Sequence, residues 1–215
     1  TGERFFGIYP AHNAAGMQLR AEQINEASIR ESLWLHVSGF SLLESPTREA
    51  VLHALRVARA AGVPSSIDLN LRLETDVFPE PYREAVFAAV KLSDVVLGAA
   101  DEELPYLSGV KNPIESGRII SGGKRTVIPR LGAEGSLAIT PTGEVHHVPA
   151  FKVDVVDTIG AGDAFNGGFI AAMVEGHGVF EALRWGNAVG AINVSREGAR
   201  GLPTRAELDE MLSRG

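Results

Sequence analysis

Short apolar segments of strand type alternate with amphipathic helical segments along most of this sequence, and that alternation limits the folds open to it. Strand-type segments lie at 4–9, 33–37, 63–68, 94–97, 125–129, 135–140, 145–148 and 153–156. Helical spacing predicts helices at 21–31, 45–62, 81–92, 101–107, 113–121, 163–175 and 180–196, and a capping box opens a last helix at Thr204–Glu207. Such an order favours a largely parallel sheet covered by helices, so we expect a three-layer α/β sandwich.

Composition narrows the classes of function. The chain has 215 residues with a net charge of −7 and a pI of about 5.4, which argues against nucleic-acid or anionic membrane partners. It contains no cysteine, which excludes disulfides, zinc–thiolate sites and a cysteine nucleophile, and fits a cytoplasmic protein. No apolar run reaches the roughly 18 residues of a membrane span.

The strongest motif runs from Val155 to Phe169, where a β-branched segment enters a glycine-rich turn that opens a helix. Gly160, Ala161 and Gly162 have little or no side chain, so backbone N–H groups can approach an anion closely. The start of the helix adds unpaired donors and the positive end of its dipole. Asp163 lies at that start.

The helix that follows the turn carries a predicted buried face. Phe165, Phe169, Ala172 and Gly176 recur at helical spacing. Gly167 and Gly168 form helices poorly, so we expect them to permit close packing of the backbone.

This motif resembles the C-terminal signature of the ribokinase (PfkB) family of carbohydrate kinases. Four other segments are similar to the family. These are a central strand at 35–39, the Asp-x-Asn-x-Arg loop of 2-keto-3-deoxygluconate kinases and fructokinases at 68–72, a nucleotide loop at 130–135 with Arg replacing the usual Lys, and a closing helix and loop at 187–199.

The resemblance implies a ribokinase-like fold and ATP-dependent transfer of a phosphoryl group to a sugar hydroxyl. It makes Asp163 the base and the turn of Gly160, Ala161 and Gly162 the site that holds the transferring charge. The remaining implied contacts are Arg130, Gly132, Gly135 and Asn187 for ATP, Arg72, Asn70 and Tyr9 for the sugar, Glu103 for Mg²⁺ through water, and Asp157 for K⁺.

The sequence departs from the family at two places. Ala100 replaces the Asn of the Asn-x-x-Glu motif that contains Glu103, which puts the handling of magnesium in doubt. The family's first strand, with its sugar-binding Asp, and its Gly-Gly signature are absent. We therefore expect one kinase domain over 1–215 that lacks its N-terminal portion, with about 1–15 as the remnant of a small β lid and 16–215 as the core.

Three functions stay open at this point. The first is a kinase for a sugar acid such as 2-keto-3-deoxygluconate, because Arg72 suits a carboxylate. The second is a fructokinase or another neutral-sugar kinase. The third is a catalytically silent relative that binds a sugar or nucleotide. The expected partner is a small sugar or sugar acid, and a homodimer is left open.

Overall fold

The structure is a computed structural model that describes residues 14–71, 73 and 78–214. It divides the chain into two compact units, each assembled from separate stretches of sequence. The first unit comprises residues 1–65 and 70–93, and the second comprises 66–69 and 94–215. The predicted strand at 4–9, Tyr9, Arg72 and most of the predicted lid remnant lie outside the described residues.

The first unit is built mainly from helices. Its elements are α1 (Glu26–Arg30), β1 (Leu35–Ser38), α2 (Thr47–Ala61) and α3 (Glu80–Leu92), with 3-10 turns at Ala15–Met17, Ala21–Gln23 and Gly39–Leu42. The apolar stripe of α2 is buried, and the helix ends at Gly62, whose φ of 71° is the left-handed conformation of a C-cap. Both features follow the prediction.

The helix predicted over 21–31 is wrong in its extent. The chain forms a 3-10 turn at Ala21–Gln23 and then a separate helix, α1. The Asn25 side chain accepts a hydrogen bond from the Ser28 N–H at 3.2 Å, which caps α1 and marks its true start.

The second unit is built on a sheet. Its strands are β2 (Ser65–Asp68), β3 (Val95–Ala99), β4 (Thr126–Arg130), β5 (Ser136–Ile139) and β6 (Val145–Val148). Of β2, the first residue belongs to the first unit and the other three belong to the second. The first three strands are parallel, with Ser66 opposite Val95 and Val95 opposite Thr126. β5 and β6 continue the sheet as an antiparallel hairpin. The α/β class is therefore confirmed.

Five helices accompany this sheet: α4 (Leu104–Ser108), α5 (Pro113–Ser121), α6 (Ala161–Val174), α7 (Val179–Val194) and α8 (Arg205–Ser213). The predicted capping box of α8 is present, with the Thr204 hydroxyl accepting from the Glu207 N–H and Glu207 accepting from the Thr204 N–H. The Glu207 carboxylate accepts hydrogen bonds from both the N–H and the hydroxyl of Thr204, and these bonds, followed by that from Arg196, lower the pKa of Glu207 below its ordinary value.

The strand predicted at 153–156 is absent. This segment forms neither strand nor helix, and the side chains of Val155 and Val156 are 63% exposed. The N–H groups of Val156 and Asp157 donate to the carbonyl of Val194, at the end of α7, at 2.8 and 3.1 Å. Backbone donors that a strand would direct to a neighbouring strand are thus used to hold the end of a helix.

Close contact between α6 and α7 explains one of two adjacent glycines. A Cβ on Gly168 would lie 2.8 Å from Cγ2 of Val189 and 2.9 Å from the carbonyl oxygen of Trp185, so only glycine fits. Gly167 is exposed, and a Cβ there would meet nothing within 4 Å. The expected buried face is right for Phe165, Phe169 and Ala172 but wrong for Gly176, which is exposed beyond the helix end with a φ of 88°.

Candidate active site

The first turn of α6 has the geometry of an anion site. Gly160 precedes the helix with a φ of 79°, and a Cβ on it would lie 2.9 Å from that of Ala199, so conformation and space both require glycine. The Ala161 N–H donates to the Thr158 carbonyl at 3.4 Å. The N–H groups of Gly162 and Asp163 have no acceptor within the helix, and its dipole places positive charge there. The Asp163 side chain is exposed beside these donors.

A buried polar network lies behind that turn, at the carboxyl ends of the parallel strands. Arg130, the last residue of β4, donates to both carboxylate oxygens of Asp68, the last residue of β2, at 2.8 and 2.9 Å. Asn166 of α6 donates to Oδ2 of Asp68 at 2.6 Å and accepts from Nη1 of Arg130 at 3.1 Å. The same Nη1 donates to the Gly162 carbonyl at 3.3 Å. Two strand ends and the start of α6 are thereby joined.

Glu103 connects the third parallel strand to this network. Its Oε2 accepts the Ala99 N–H, at the end of β3, at 2.7 Å and lies 3.5 Å from Nη2 of Arg130. The side chains are largely enclosed: Arg130 is 17% exposed, Glu103 8% and Asp68 6%. Ala100 donates its N–H to the Arg130 carbonyl at 3.0 Å, so the residue that replaces the family Asn still pairs through its backbone.

Charge balance keeps Arg130 protonated. Burial alone would lower the pKa of the guanidinium, but the charge of Asp68 and its hydrogen bonds, followed by the charges of Glu103 and Asp163, raise that pKa above its ordinary value. One cation thus lies among three carboxylates.

The predicted nucleotide loop forms a tight turn after β4. Gly132 to Glu134 make one 3-10 turn, and Gly132 and Gly135 have φ values of 59° and 98°. A Cβ on Gly135 would lie 2.1 Å from the Val148 carbonyl oxygen, so no other residue fits. Asn187 of α7 donates to the carbonyls of Val148 and Pro149 at 2.9 and 3.2 Å, which ties α7 to the end of β6.

The Asp157 side chain connects the segment before the α6 turn to the loop after α7. Its carboxylate accepts the Ile159 N–H at 2.9 Å and the Gly198 N–H at 3.1 Å. The residue predicted to hold potassium is therefore bound by backbone donors that join the α6 turn to the loop after α7.

A profile of the pfkB family of carbohydrate kinases matches residues 1–205. The chain belongs to that family. It is 31% identical over 210 residues to a 5-dehydro-2-deoxygluconokinase of Halalkalibacterium halodurans, covering 94% of this chain and 62% of that protein. Each protein compared is longer, and the chain spans less than two thirds of its length.

Solved structures of the family share this fold. A fructokinase variant from Vibrio cholerae O395, with fructose, ADP and potassium bound, matches with a TM-score of 0.82 and 31% identity, over 91% of this chain and 64% of that one. A ribokinase from Thermotoga maritima matches with a TM-score of 0.76 and 27% identity, over 93% and 63%. The expected ribokinase-like fold is confirmed.

Of the three predicted sugar contacts of this pfkB-family chain, the structure describes one, Asn70, in the first unit. It has a positive φ of 36°, which is uncommon for a residue with a side chain, and its Nδ2 donates to the Ser38 hydroxyl at 2.9 Å. The other two predicted contacts, Tyr9 and Arg72, lie outside the described residues.

Magnesium fits this chain as a companion of phosphate. Across residues 14–71, 73 and 78–214, no three acidic or His side chains cluster closely enough to hold a metal ion. Mg²⁺ in phosphoryl-transfer sites commonly binds through one or two carboxylates and the substrate phosphates, and Asp163 and Glu103 are carboxylates near the turn.

In the part of the chain that the structure describes, none of the helices has the length and apolar content of a membrane span.

Sequence reasoning missed Asn166 and the role of Asp68. Two signals pointed to them. An Asn stands between Phe165 and Phe169 on the buried face of an apolar helix, where a polar group needs a partner. Asp68 and Arg130 each end a strand-type segment, and the carboxyl ends of parallel strands meet at one edge of a sheet.

Proposed function

We propose that this chain is part of an ATP-dependent kinase that phosphorylates a hydroxyl of a sugar acid. The observation that carries the proposal is the exposed Asp163 carboxylate at the start of α6, next to the N–H donors of a turn in which Gly160 and Gly162 permit close approach. A base and an anion site within one helical turn are what phosphoryl transfer to an alcohol requires.

The reaction follows from these two parts. The hydroxyl oxygen of the sugar attacks the γ-phosphorus of ATP, the bond from that phosphorus to the bridging oxygen breaks, and ADP leaves. Asp163 accepts the hydroxyl proton and orients the oxygen before transfer. The donors of residues 160–163 bind the charge on the phosphoryl oxygens, which in such reactions is stabilised mainly by positioned dipoles and cations.

Metal ions would act beside these residues. Mg²⁺ would neutralise charge on the ATP phosphates when bound, and Glu103, through water, is its proposed protein contact. Potassium at Asp157 stays a prediction. The Asp157 carboxylate accepts two backbone N–H groups in this structure.

The proposed substrate class is a six-carbon keto sugar acid. Relatives at about 31% identity are named 5-dehydro-2-deoxygluconokinase, and the Asp68 to Arg72 loop resembles that of 2-keto-3-deoxygluconate kinases. Both names describe deoxy keto acids with a carboxylate. Asn70, Arg72 and Tyr9 are the proposed sugar contacts, and Gly132, Gly135 and Asn187 are those proposed for ATP. Fructose is the competing substrate, because a fructokinase is a structural neighbour.

The test is ATP turnover with 5-dehydro-2-deoxygluconate, 2-keto-3-deoxygluconate and fructose, in the parent, which is the whole protein that contains this chain, and in Asp163→Asn. The substitution keeps the size of the side chain and removes the base, and loss of a general base typically costs roughly 10²–10⁴ in rate. We expect a fall of that size in kcat with little change in ATP affinity.

The matched control is Asp209→Asn, which alters an exposed acid on α8 and should leave turnover unchanged. Near-parental turnover in Asp163→Asn would refute the base assignment. No turnover of any sugar by the parent would contradict the kinase proposal and favour a silent relative. A clear preference for fructose would correct the substrate.

A further inference from the structure

The start of α6 is held from the side by a residue outside the helix. Arg130 Nη1 reaches the Gly162 carbonyl at 3.3 Å and the Asn166 side chain at 3.1 Å. Gly162 and Asn166 are four residues apart, so these contacts grip consecutive turns of one helix face. Asp163, the proposed base, lies directly after Gly162 in the chain.

This approach explains why position 162 is glycine. A Cβ there would lie 2.9 Å from Nη1 and 3.3 Å from Cζ of Arg130. A larger residue would force the guanidinium and the helix start apart. Glycine at this position therefore leaves room for Arg130 beside the first turn.

Asp68 and Asn166 fix the position of the Arg130 guanidinium. Asp68 binds both terminal nitrogens of Arg130, and Asn166 binds Asp68 and Arg130 together. The Asn166 side chain is buried, and polar groups in such surroundings adopt the few geometries that satisfy all partners. With Glu103 at 3.5 Å from Nη2, both terminal nitrogens face protein acceptors.

We propose that Arg130 and Asn166 are positioning residues that set the place of the first turn of α6, and with it the Asp163 carboxylate and the N–H donors of the turn. The inference rests on the proposed kinase function for its catalytic consequence. It assigns Arg130 a role different from a direct contact with ATP, because its terminal nitrogens are directed at Asp68, Glu103, Asn166 and Gly162.

The first arm of the test measures kcat and the KM for ATP in Arg130→Lys. A lysine keeps the charge but cannot bind both oxygens of Asp68 and also reach α6. Displacement of a catalytic group by about 1 Å can cost on the order of 10²-fold. We expect kcat to fall roughly 10- to 100-fold with the KM for ATP little changed, whereas a direct ATP contact would raise that KM.

The control for this arm is Arg125→Lys. Arg125 is also partly buried and donates to backbone carbonyls, those of Ile120 and Ser121. These two carbonyls belong to the end of α5, outside the network, so we expect kcat to stay at the parental value. An equal loss of kcat in both variants would overturn the proposal.

The second arm does not depend on turnover. Amide hydrogen exchange is measured at Ala164, Phe165 and Asn166, whose N–H groups close the first turn of α6, and along α7 as an internal reference. In Arg130→Lys we expect exchange at the first turn to rise at least tenfold over the rise seen in α7, because only the first turn loses its lateral contacts. Uniform acceleration across both helices would reduce the network to general stability and overturn the proposal.

Asn166→Ala is the second variant, used if Arg130→Lys does not fold. It removes the contact from the helix side and should produce the same local rise in exchange and the same fall in kcat. If the parent turns over no sugar, the kinase proposal fails while the exchange arm still decides whether the network holds the turn. A raised KM for ATP with unchanged local exchange would return Arg130 to the nucleotide site.

Discussion

Asn70 shows how one residue can prepare a binding loop. Its φ of 36° lies in the left-handed region, which Asn tolerates better than most residues because its short polar side chain can bond locally. Its amide donates to the Ser38 hydroxyl at 2.9 Å, a contact that ties the second residue after β2 to the end of β1 within the first unit.

Arg72 is predicted to bind the carboxylate of a sugar acid. A charge-assisted hydrogen bond is worth about 1.5–3 kcal/mol, and lysine cannot reproduce the two-point contact of a guanidinium. We expect Arg72→Lys to lower kcat/KM for 2-keto-3-deoxygluconate and 5-dehydro-2-deoxygluconate about 10- to 100-fold while changing kcat/KM for fructose little.

Arg83→Lys is the control for that comparison, since Arg83 lies on the exposed face of α3 and pairs with Glu80. It should leave all three substrates unaffected. Equal losses for acids and fructose in Arg72→Lys would indicate a contact with ATP phosphate and contradict the proposed role.

At the residue scale, the sequence indicates the proposed base and the turn but not what holds them. Asp163 and Gly160 fall within one short motif, and its resemblance to the family signature points to them. Arg130 lies 62 residues from Asp68, and Asn166 lies 98 residues from Asp68. Such pairs are formed only by the sheet and by helix packing, which a single sequence does not specify.

Between helices, two neighbouring glycines of α6 should respond in opposite ways to one added methyl group. Gly168→Ala forces a Cβ against Val189 and the backbone of Trp185, and overpacking of this kind costs about 1–3 kcal/mol. Gly167→Ala adds a Cβ into open space, where alanine favours a helix by roughly 0.5–1 kcal/mol.

Chemical denaturation of both variants gives the free energy of unfolding that decides this prediction. Each variant is the control for the other, because the chemical change is identical and the positions are adjacent. An unchanged stability in Gly168→Ala would show that the contact of α6 with α7 is looser than the structure has it, and destabilisation by Gly167→Ala would contradict the open space at that position.

Elements are predicted well where local chemistry alone determines them. Helix α5 occupies 113–121 as predicted, and Gly62 ends α2 because its left-handed φ suits a C-cap. The predicted strand at 153–156 is wrong because β-branched residues indicate a preference for extended backbone but not which group the backbone N–H groups will bind. Here those of Val156 and Asp157 bind the carbonyl of Val194, at the end of a helix. The helix over 21–31 fails because the Asn25 cap is a stronger signal than continuous spacing.

At the scale of the whole molecule, neither compact unit is a single stretch of chain. The second unit takes the segment Ser66–Leu69 from between two parts of the first, so the chain passes between the units at 65/66, 69/70 and 93/94. A unit interrupted in this way cannot complete its own sheet until the chain on both sides of the segment is placed. We therefore expect the two units to unfold in one transition.

The two tryptophans of the chain make this measurable, because Trp34 lies in the first unit and Trp185 in the second. Trp34→Phe and Trp185→Phe each leave one fluorescent reporter. We expect the two variants to show the same denaturation midpoint when each is followed by fluorescence. Circular dichroism of both variants and the parent is the control for effects of the substitutions themselves. Two separated fluorescence midpoints with matching dichroism would contradict a single transition.

Because Ser66–Leu69 belongs to the second unit, it also limits how such a chain can be recombined with a homologue. A single crossover between two homologous genes exchanges everything on one side of the junction, so it cannot transfer one unit intact. Exchange of the second unit alone needs junctions at all three positions where the chain changes unit, and one of these directly follows Leu69. A chimera with a single junction between Asp68 and Arg130 would take these two residues from different parents, and only parents that share both residues would be certain to keep that ion pair.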